Sequence, residues 1–420
     1  MIYTVKKGDT VYDIAKRYQV LPDDLIEING LSDPDSLSVG QALIVAKPSL
    51  VHKVLEGETI YSIARQYDVS LSSLYRKNPR LKGSPNVNAG ERLVIRWDSD
   101  GSLPLSVNGF SYPCIKESVL TATLPYLSSL APFSYGFTAE GDLSLPMYDT
   151  TVERAKTSGV DPVMLLTTLN SDGKFDNSLS HRLLEDSGLE DALIDSIINA
   201  MRLVGYRVLM IDFEFLFQED KSRYVEFLKK IRKHFEPYRY QLWVALPPKT
   251  SKGQSGALFD GIDYRAIGEI ADAVQLMTYE WGYQYHNKNA VLPFSELQKA
   301  VSYALSEIPP EKILIGVPNY GYDIVLSAKT SDEQTHILSN VDAISLANEK
   351  HAEILYDIDE RSPYFRYYEN ACEHLVVFGD ARSMEAVLGL VNKNALRGIS
   401  IYTVMQYFPQ GYFLLSPYRI

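Results

Sequence analysis

Eight short apolar runs separated by amphipathic stretches fill the chain from residue 101 to residue 420, and this alternation constrains the fold more than any other feature. The runs are LSVNGF from Leu105, LAPFSYGFT from Leu130, PVMLLTTLN from Pro162, RVLMIDFEFL from Arg207, YQLWVALPP from Tyr240, DAVQLMTYEWG from Asp272, KILIGVPNYG from Lys312 and LRGISIYTV from Leu396. Most are continuous rather than alternating, as strands covered on both faces must be. Helical patterns lie between them, among them SVLTATLPYLSSL, RYVEFLKKIRKHF, ELQKAVSYALSEI and SMEAVLGLVNKNAL. Eight such units predict an α/β fold, a (β/α)8 TIM barrel, with its chemistry at the C-terminal strand ends. The stretch from Leu326 to Asp380 exceeds an ordinary crossover and contains ILYDIDERSPYFRYY and HLVVFGDARS, which predicts a small α+β insertion before the eighth helix.

The fourth run ends in two charges, Asp212 and Glu214. If it is a strand, period-two geometry puts Val208, Met210, Asp212 and Glu214 on one face and Leu209, Ile211, Phe213 and Phe215 on the other. Same-face neighbours two residues apart lie roughly 6 to 7 Å apart, near enough for one carboxylate to raise the pKa of the other and keep a proton for acid catalysis. A polar strand end entering a loop also explains a lone Asp-x-Glu, so the other strand ends must decide. Asn170 follows the third run, Tyr279, Glu280 and Trp281 the sixth, Asn319 and Tyr320 the seventh, and Tyr402 closes the eighth. In a closed barrel these converge on one rim.

In front of the barrel the chain repeats itself at an offset of 49 residues. Tyr3-Thr4-Val5 with Gly8, Thr10, Ile14, Ala15, Tyr18, Val20, Leu25 and Asn29 falls on His52-Lys53-Val54 with Gly57, Thr59, Ile63, Ala64, Tyr67, Val69, Leu74 and Asn78. After a single-residue shift, SVGQALIV from Ser38 corresponds to NAGERLVI from Asn88, each a turn and a strand. Asp9-Thr10 and Glu58-Thr59 each open a helix, where Thr caps and the acid meets the positive helix end. PDDLIEIN and SLSSLYRKN read as second helices, so each copy is a βααβ unit. This pattern resembles the LysM module, whose motif Y-x-V-x-x-G-D-T-x-x-x-I-A-x-x-Y both copies reproduce closely. The resemblance implies binding of N-acetylglucosamine polymers along the groove between the first strand-helix loop and the second helix-strand loop, with Gly8, Asp9 and Thr10, and Gly57, Glu58 and Thr59, at the sugar. RWDSDGSLPLSV reads as the linker that follows. The expected domains are residues 1–47, 50–97 and 101–420.

Composition sets the remaining limits. Hydrophobic residues at 45% and charged ones at 22% support a packed core rather than disorder. The net charge of −12 leaves no basic patch for nucleic acid or an anionic membrane. The 29 Tyr against 3 Trp supply flat faces with hydrogen-bonding tips, suited to sugar rings. Cys114 and Cys372 stand far apart without ligand-spaced neighbours, so no disulfide framework, metal site or cofactor is expected. MIYTVKKGDT lacks the apolar core of a signal peptide and no run of about 18 apolar residues occurs, so a soluble, not conventionally exported protein is expected.

The barrel segments resemble glycoside hydrolase family 18, specifically the LysM-containing N-acetylglucosaminidase subgroup linked to spore germination and cortex lysis, and the similarity covers the whole chain. The family's strand-four motif D-x-x-D-x-D-x-E is here R-V-L-M-I-D-F-E from Arg207, and its strand-six motif Q-x-M-x-Y-D is Q-L-M-T-Y-E from Gln275. ALPPKTS, LMTYEWGY, GVPNYGYD, SPYF and GDARS are further subgroup-like segments. The resemblance implies Glu214 as general acid and base, with no protein nucleophile: the substrate's 2-acetamido oxygen attacks the anomeric carbon and configuration is retained. It implies Asp212 orienting the acetamido N–H, the Tyr279 hydroxyl steadying the acetamido oxygen, Gln275 and Met277 lining the floor, and Glu280, Trp281, Asn319, Tyr402 and Asn170 in substrate contact.

Four positions depart from the family pattern: Arg207 and Met210 replace Asp or a small amide, Glu280 replaces Asp, and Tyr402 stands where a Trp lies under the sugar. The expected protein is thus a peptidoglycan-acting hydrolase, a monomer, whose partner is peptidoglycan or another N-acetylglucosamine polymer. Spore coat, cortex or cell wall is its expected location, after synthesis in the cytoplasm. A catalytically weakened glycan-binding or spore-coat protein and a chitinase remain open alternatives at this level.

Overall fold

A computed structural model describes residues 1–98, 101, 103–144, 150–170, 174–279, 290–326 and 335–420. Eight parallel strands close into a barrel: β1 (Ser106–Ser111), β2 (Ser129–Pro132), β3 (Asp161–Thr167), β4 (Val208–Asp212), β5 (Gln241–Leu246), β6 (Ala273–Leu276), β7 (Ile313–Pro318) and β8 (Gly398–Tyr402). Each pairs with the next, and β8 pairs with β1.

The apolar runs are continuous because the strands have two dry faces. Val208 and Met210 point into the barrel and join Phe110, Leu165, Trp243 and Leu314. Leu209, Ile211 and Phe213 join the outer layer with Phe227, Leu228 and Ile231 of the helix Lys221–Phe235. Each fully buried side chain of this size contributes about 1.5–3 kcal/mol. One expectation for this run is corrected: β4 stops at Asp212, and Phe215 takes a left-handed φ of 54° and is 43% exposed, so the alternation ends at Phe213.

The insertion is a five-stranded antiparallel sheet in the order Thr335–Leu338, Gly321–Val325, Cys372–Val377, Ser362–Glu369 and Leu355–Asp357. The helix Asn340–Glu349 covers it, with Ala343 and Ala347 against Phe365, Val376 and Phe378. The sheet starts at Gly321 rather than Leu326, because Gly321, the last residue of the seventh run, and the residues after it up to Val325 form its first strand. The helix after it, Ala381–Lys393, leads into β8 and is the seventh of the barrel, not the eighth.

Both N-terminal copies fold as strand, helix, helix, strand: Ile2–Thr4, Val11–Tyr18, Pro22–Asn29 and Ala42–Ile44, then Pro48–Lys53, Ile60–Gln66, Leu71–Lys77 and Arg92–Trp97. Thr10 and Thr59 cap the first helices through the amides of Asp13 and Ser62. The preceding acids also bind back within their own modules. Asp9 accepts from the Lys6 amide at 2.8 Å and the Tyr3 hydroxyl at 2.6 Å, and Glu58 accepts from the Leu55 amide at 2.7 Å and meets His52 at 2.7 Å, so each acid locks the loop to the first strand. Asn29 and Asn78 repeat one buried clamp: each amide donates to two carbonyls, Leu25 and Ile44 or Leu74 and Val94, and accepts from the amide of Ile44 or Val94. Among the described residues no helix is long and apolar enough to cross a membrane.

Candidate active site

The C-terminal rim of the barrel is built from side chains whose neighbours fix them. On β6, Gln275 is fully buried and donates to the Tyr279 hydroxyl at 3.2 Å. Tyr279 is itself only 4% exposed, and its ring lies on the bare backbone of Gly316 in β7, where a Cβ would stand 2.6 Å from the ring. Tyr402 stacks on the same ring at 4.4 Å between centroids and 10° between planes. The Tyr402–Thr403 peptide is cis. The Tyr320 hydroxyl donates to the Tyr279 carbonyl at 3.2 Å. Met277 packs with Ala245 and Tyr279 beneath Tyr402.

Asn319, at the end of β7, holds the turn that carries Tyr402. Its amide donates to the Thr403 carbonyl at 2.9 Å and the Gln406 carbonyl at 2.8 Å, and its backbone N–H to the Tyr402 carbonyl at 2.9 Å. Asn170 bends the loop after β3 by accepting from the Lys174 amide at 3.0 Å. Glu280 and Trp281 lie outside the described residues.

Asp212 ends β4 opposite Thr167 of β3, a fully buried residue whose hydroxyl lies 3.1 Å from that of Ser134. Glu214 follows two residues on, and both acids are half-buried. Beneath them Met210 is fully buried, in register with Leu165 on β3 and Trp243 on β5, so the floor is dry. Behind β4, burial first and then the nearby Asp212 charge push the Tyr224 phenol well up. The loop that carries Glu214 is tied down at its far end by Asp220, fully buried, which accepts from Arg223 at 3.0 Å and lies 2.7 Å from His181 Nδ1 on the helix Asn177–Glu185 after β3. That contact is the main reason the His181 pKa is raised. At the end of β5, burial and then the Lys221 charge lower the pKa of Lys249, a residue only 8% exposed.

Sequence reasoning missed part of this rim. Tyr112 and Phe133, just past β1 and at the end of β2, stack at 4.7 Å and 14°, and the Tyr112 hydroxyl lies 3.0 Å from that of Tyr402. The signal was the one used elsewhere, an aromatic at a strand end, and it stood in LSVNGFSY and LAPF as well. The rim thus joins two carboxyl groups at the end of one strand to a phenol held by a buried amide and to a wall of stacked rings. Such a set can grip a pyranose face and pass a proton to or from its leaving oxygen. Among the described residues no group of three or more His, Cys, Asp or Glu side chains could hold a metal ion.

The family model described as Glycosyl hydrolases family 18 matches residues 168–406, and the LysM domain model matches residues 3–46 and 52–96. The chain is 34% identical over 418 residues to a cortical fragment-lytic enzyme of Bacillus anthracis, covering 99% of this chain and 97% of that protein. It is 35% identical over 420 residues to the protein of the same description in Bacillus subtilis (strain 168), with the same coverage. The crystal structure of the Bacillus megaterium QM B1551 spore cortex-lytic enzyme SleL superposes with a TM-score of 0.83 at 31% identity, over 99% of this chain and 97% of that one.

Proposed function

The chain belongs to glycosyl hydrolases family 18, as a glycoside hydrolase with two LysM domains, and from that premise we propose that it is a retaining N-acetylglucosaminidase of peptidoglycan in which Glu214 is the general acid and base. The observation that carries this reading is the rim itself: an Asp-x-Glu end of β4 shares it with a tyrosine packed against Tyr402 and Gly316 and hydrogen-bonded by Gln275.

In this reading the N-acetylglucosamine ring on the non-reducing side of the scissile link rests against Tyr402. The Glu214 carboxyl gives its proton to the glycosidic oxygen as the bond from that oxygen to the anomeric carbon breaks. The substrate's acetamido oxygen forms the new bond to that carbon, which gives an oxazolinium ion. Asp212 accepts the acetamido N–H and balances the cation, and the Tyr279 hydroxyl steadies the acetamido oxygen. The Glu214 carboxylate then takes a proton from a water molecule, whose oxygen opens the ring from the side the leaving group left, so configuration is retained.

The substrate class follows from the relatives, described as cortical fragment-lytic or spore cortex-lytic enzymes. For this chain we extend that to fragments of cortical peptidoglycan and to action at the spore, with the LysM modules raising its local concentration on the polymer. The test is Glu214→Gln assayed for reducing-sugar release from cortex fragments. Loss of a general acid and base lowers the rate by about 10²- to 10⁴-fold. Near-native release by the variant rules Glu214 out as the proton donor.

A further inference from the structure

The two LysM modules share one motif and the same order of strand, helix, helix and strand, so a difference in what surrounds equivalent turns is informative. The turn before the last strand makes the comparison. Gly40 has φ 84° and its N–H donates to the Val5 carbonyl at 2.8 Å; Gly90 has φ 89° and donates to the Val54 carbonyl at 2.8 Å. Around Gly90 the surface is open: Asn88, Ala89 and Gly90 are exposed, and a Cβ on Gly90 would meet nothing within 4 Å. Around Gly40 it is closed, because a Cβ there would stand 1.8 Å from the Ile354 carbonyl oxygen of the insertion.

The closure extends along the whole arm. The Ile354 amide donates to the Val39 carbonyl at 2.8 Å, Asn348 holds the Ser36 carbonyl at 3.1 Å and the Ser38 hydroxyl, and Arg382 reaches the Gly40 carbonyl at 3.3 Å. Gln410 donates to Asn29 at 3.0 Å and to the Ala42 carbonyl at 2.7 Å from the barrel side. Module 2 docks through Arg76 on the Pro125 carbonyl at 2.9 Å and, near the start of its second loop, through Gly83 against Thr121, but leaves Pro85, Asn86 and the Asn88 turn of that loop exposed. The first loops do not differ in this way: Tyr12 and Tyr61, one position into the first helices, are 57% and 60% exposed.

We propose that the modules have divided their roles. Module 2 is the one that grips the N-acetylglucosamine polymer, and module 1 is a strut that locks the insertion to the barrel. This rests on reading the modules as glycan binders in a groove between two loops. A linear polymer needs both loops and both ends of that groove clear, and in module 1 the second loop is the surface that the insertion uses.

The experiment is cosedimentation of the full chain with purified peptidoglycan, in a Glu214→Gln background so that the polymer survives. Tyr61→Ala is expected to weaken binding about three- to tenfold, the loss of one aromatic contact, and Tyr12→Ala to leave it unchanged. Equal weakening by both overturns the division while leaving LysM targeting intact; weakening by neither overturns both. The strut role has its own readout. Gly40→Ala and Gly90→Ala carry the same left-handed backbone cost, so Gly40→Ala is expected to lower Tm by several degrees more. Equal shifts overturn the strut.

Discussion

Met210 stands where the resemblance to the family expects a carboxylate or a small amide, and it is packed as a core residue. It is fully buried, with Leu165 and Trp243 in register on either side and Phe110 in the same cluster. The side chains packed around it in that cluster are apolar, so methionine fills the layer without burying a polar group. In the proposed mechanism the rim's proton transfers thus have no carboxyl at position 210 to draw on, and the floor contributes packing. Met210→Ala is expected to lower unfolding free energy by about 2–5 kcal/mol and Met210→Leu by under about 1.5 kcal/mol, read from urea denaturation. A negligible cost for Met210→Ala contradicts the packed floor.

The loop after β4 is the element on which the proposed acid sits, and it is fastened to the helix after β3 by the His181 and Asp220 pair. Because the His181 pKa is raised in the fold, the pair contributes its full stability below the unfolded histidine value of about 6.5 and loses it as pH rises through the raised value. The Tm difference between the wild type and His181→Ala should therefore be larger near pH 6 than near pH 9, and a gap independent of pH contradicts the pairing. Elements of this kind were partly legible beforehand. The eight barrel strands were readable because each is dry on both faces, which leaves an unbroken apolar run. Strand ends were not, since Phe215 leaves the alternation through a backbone angle that no residue type announces. The first strand of the insertion begins where the seventh run ends, and Tyr112 and Phe133 carry the same strand-end aromatic signal as Tyr402, although their stacking on each other shows only in the fold.

At the scale of the whole molecule, the modules are fixed to the barrel rather than strung ahead of it. The first repeat touches both the insertion and the barrel helices, and Trp97 and Phe413 close an apolar seam with Ile28, Ile44, Val94 and Ala381. The repeat itself was legible from its register, but its docking was not, because Gly40 and Gly90 are the same residue in the same turn and differ only in what stands opposite. The carbohydrate reading proposed here has module 2 hold the polymer, module 1 brace the insertion against the barrel, and the rim supply the acid, the base and a stacking wall. Its central claim is retention through the substrate's own acetamido group. The direct measurement is proton NMR of the product within the first turnovers on cortex fragments, before mutarotation. The expected result is a new N-acetylglucosamine reducing end that appears first as the β-anomer; an initial α-anomer, or a muramic acid reducing end, contradicts it.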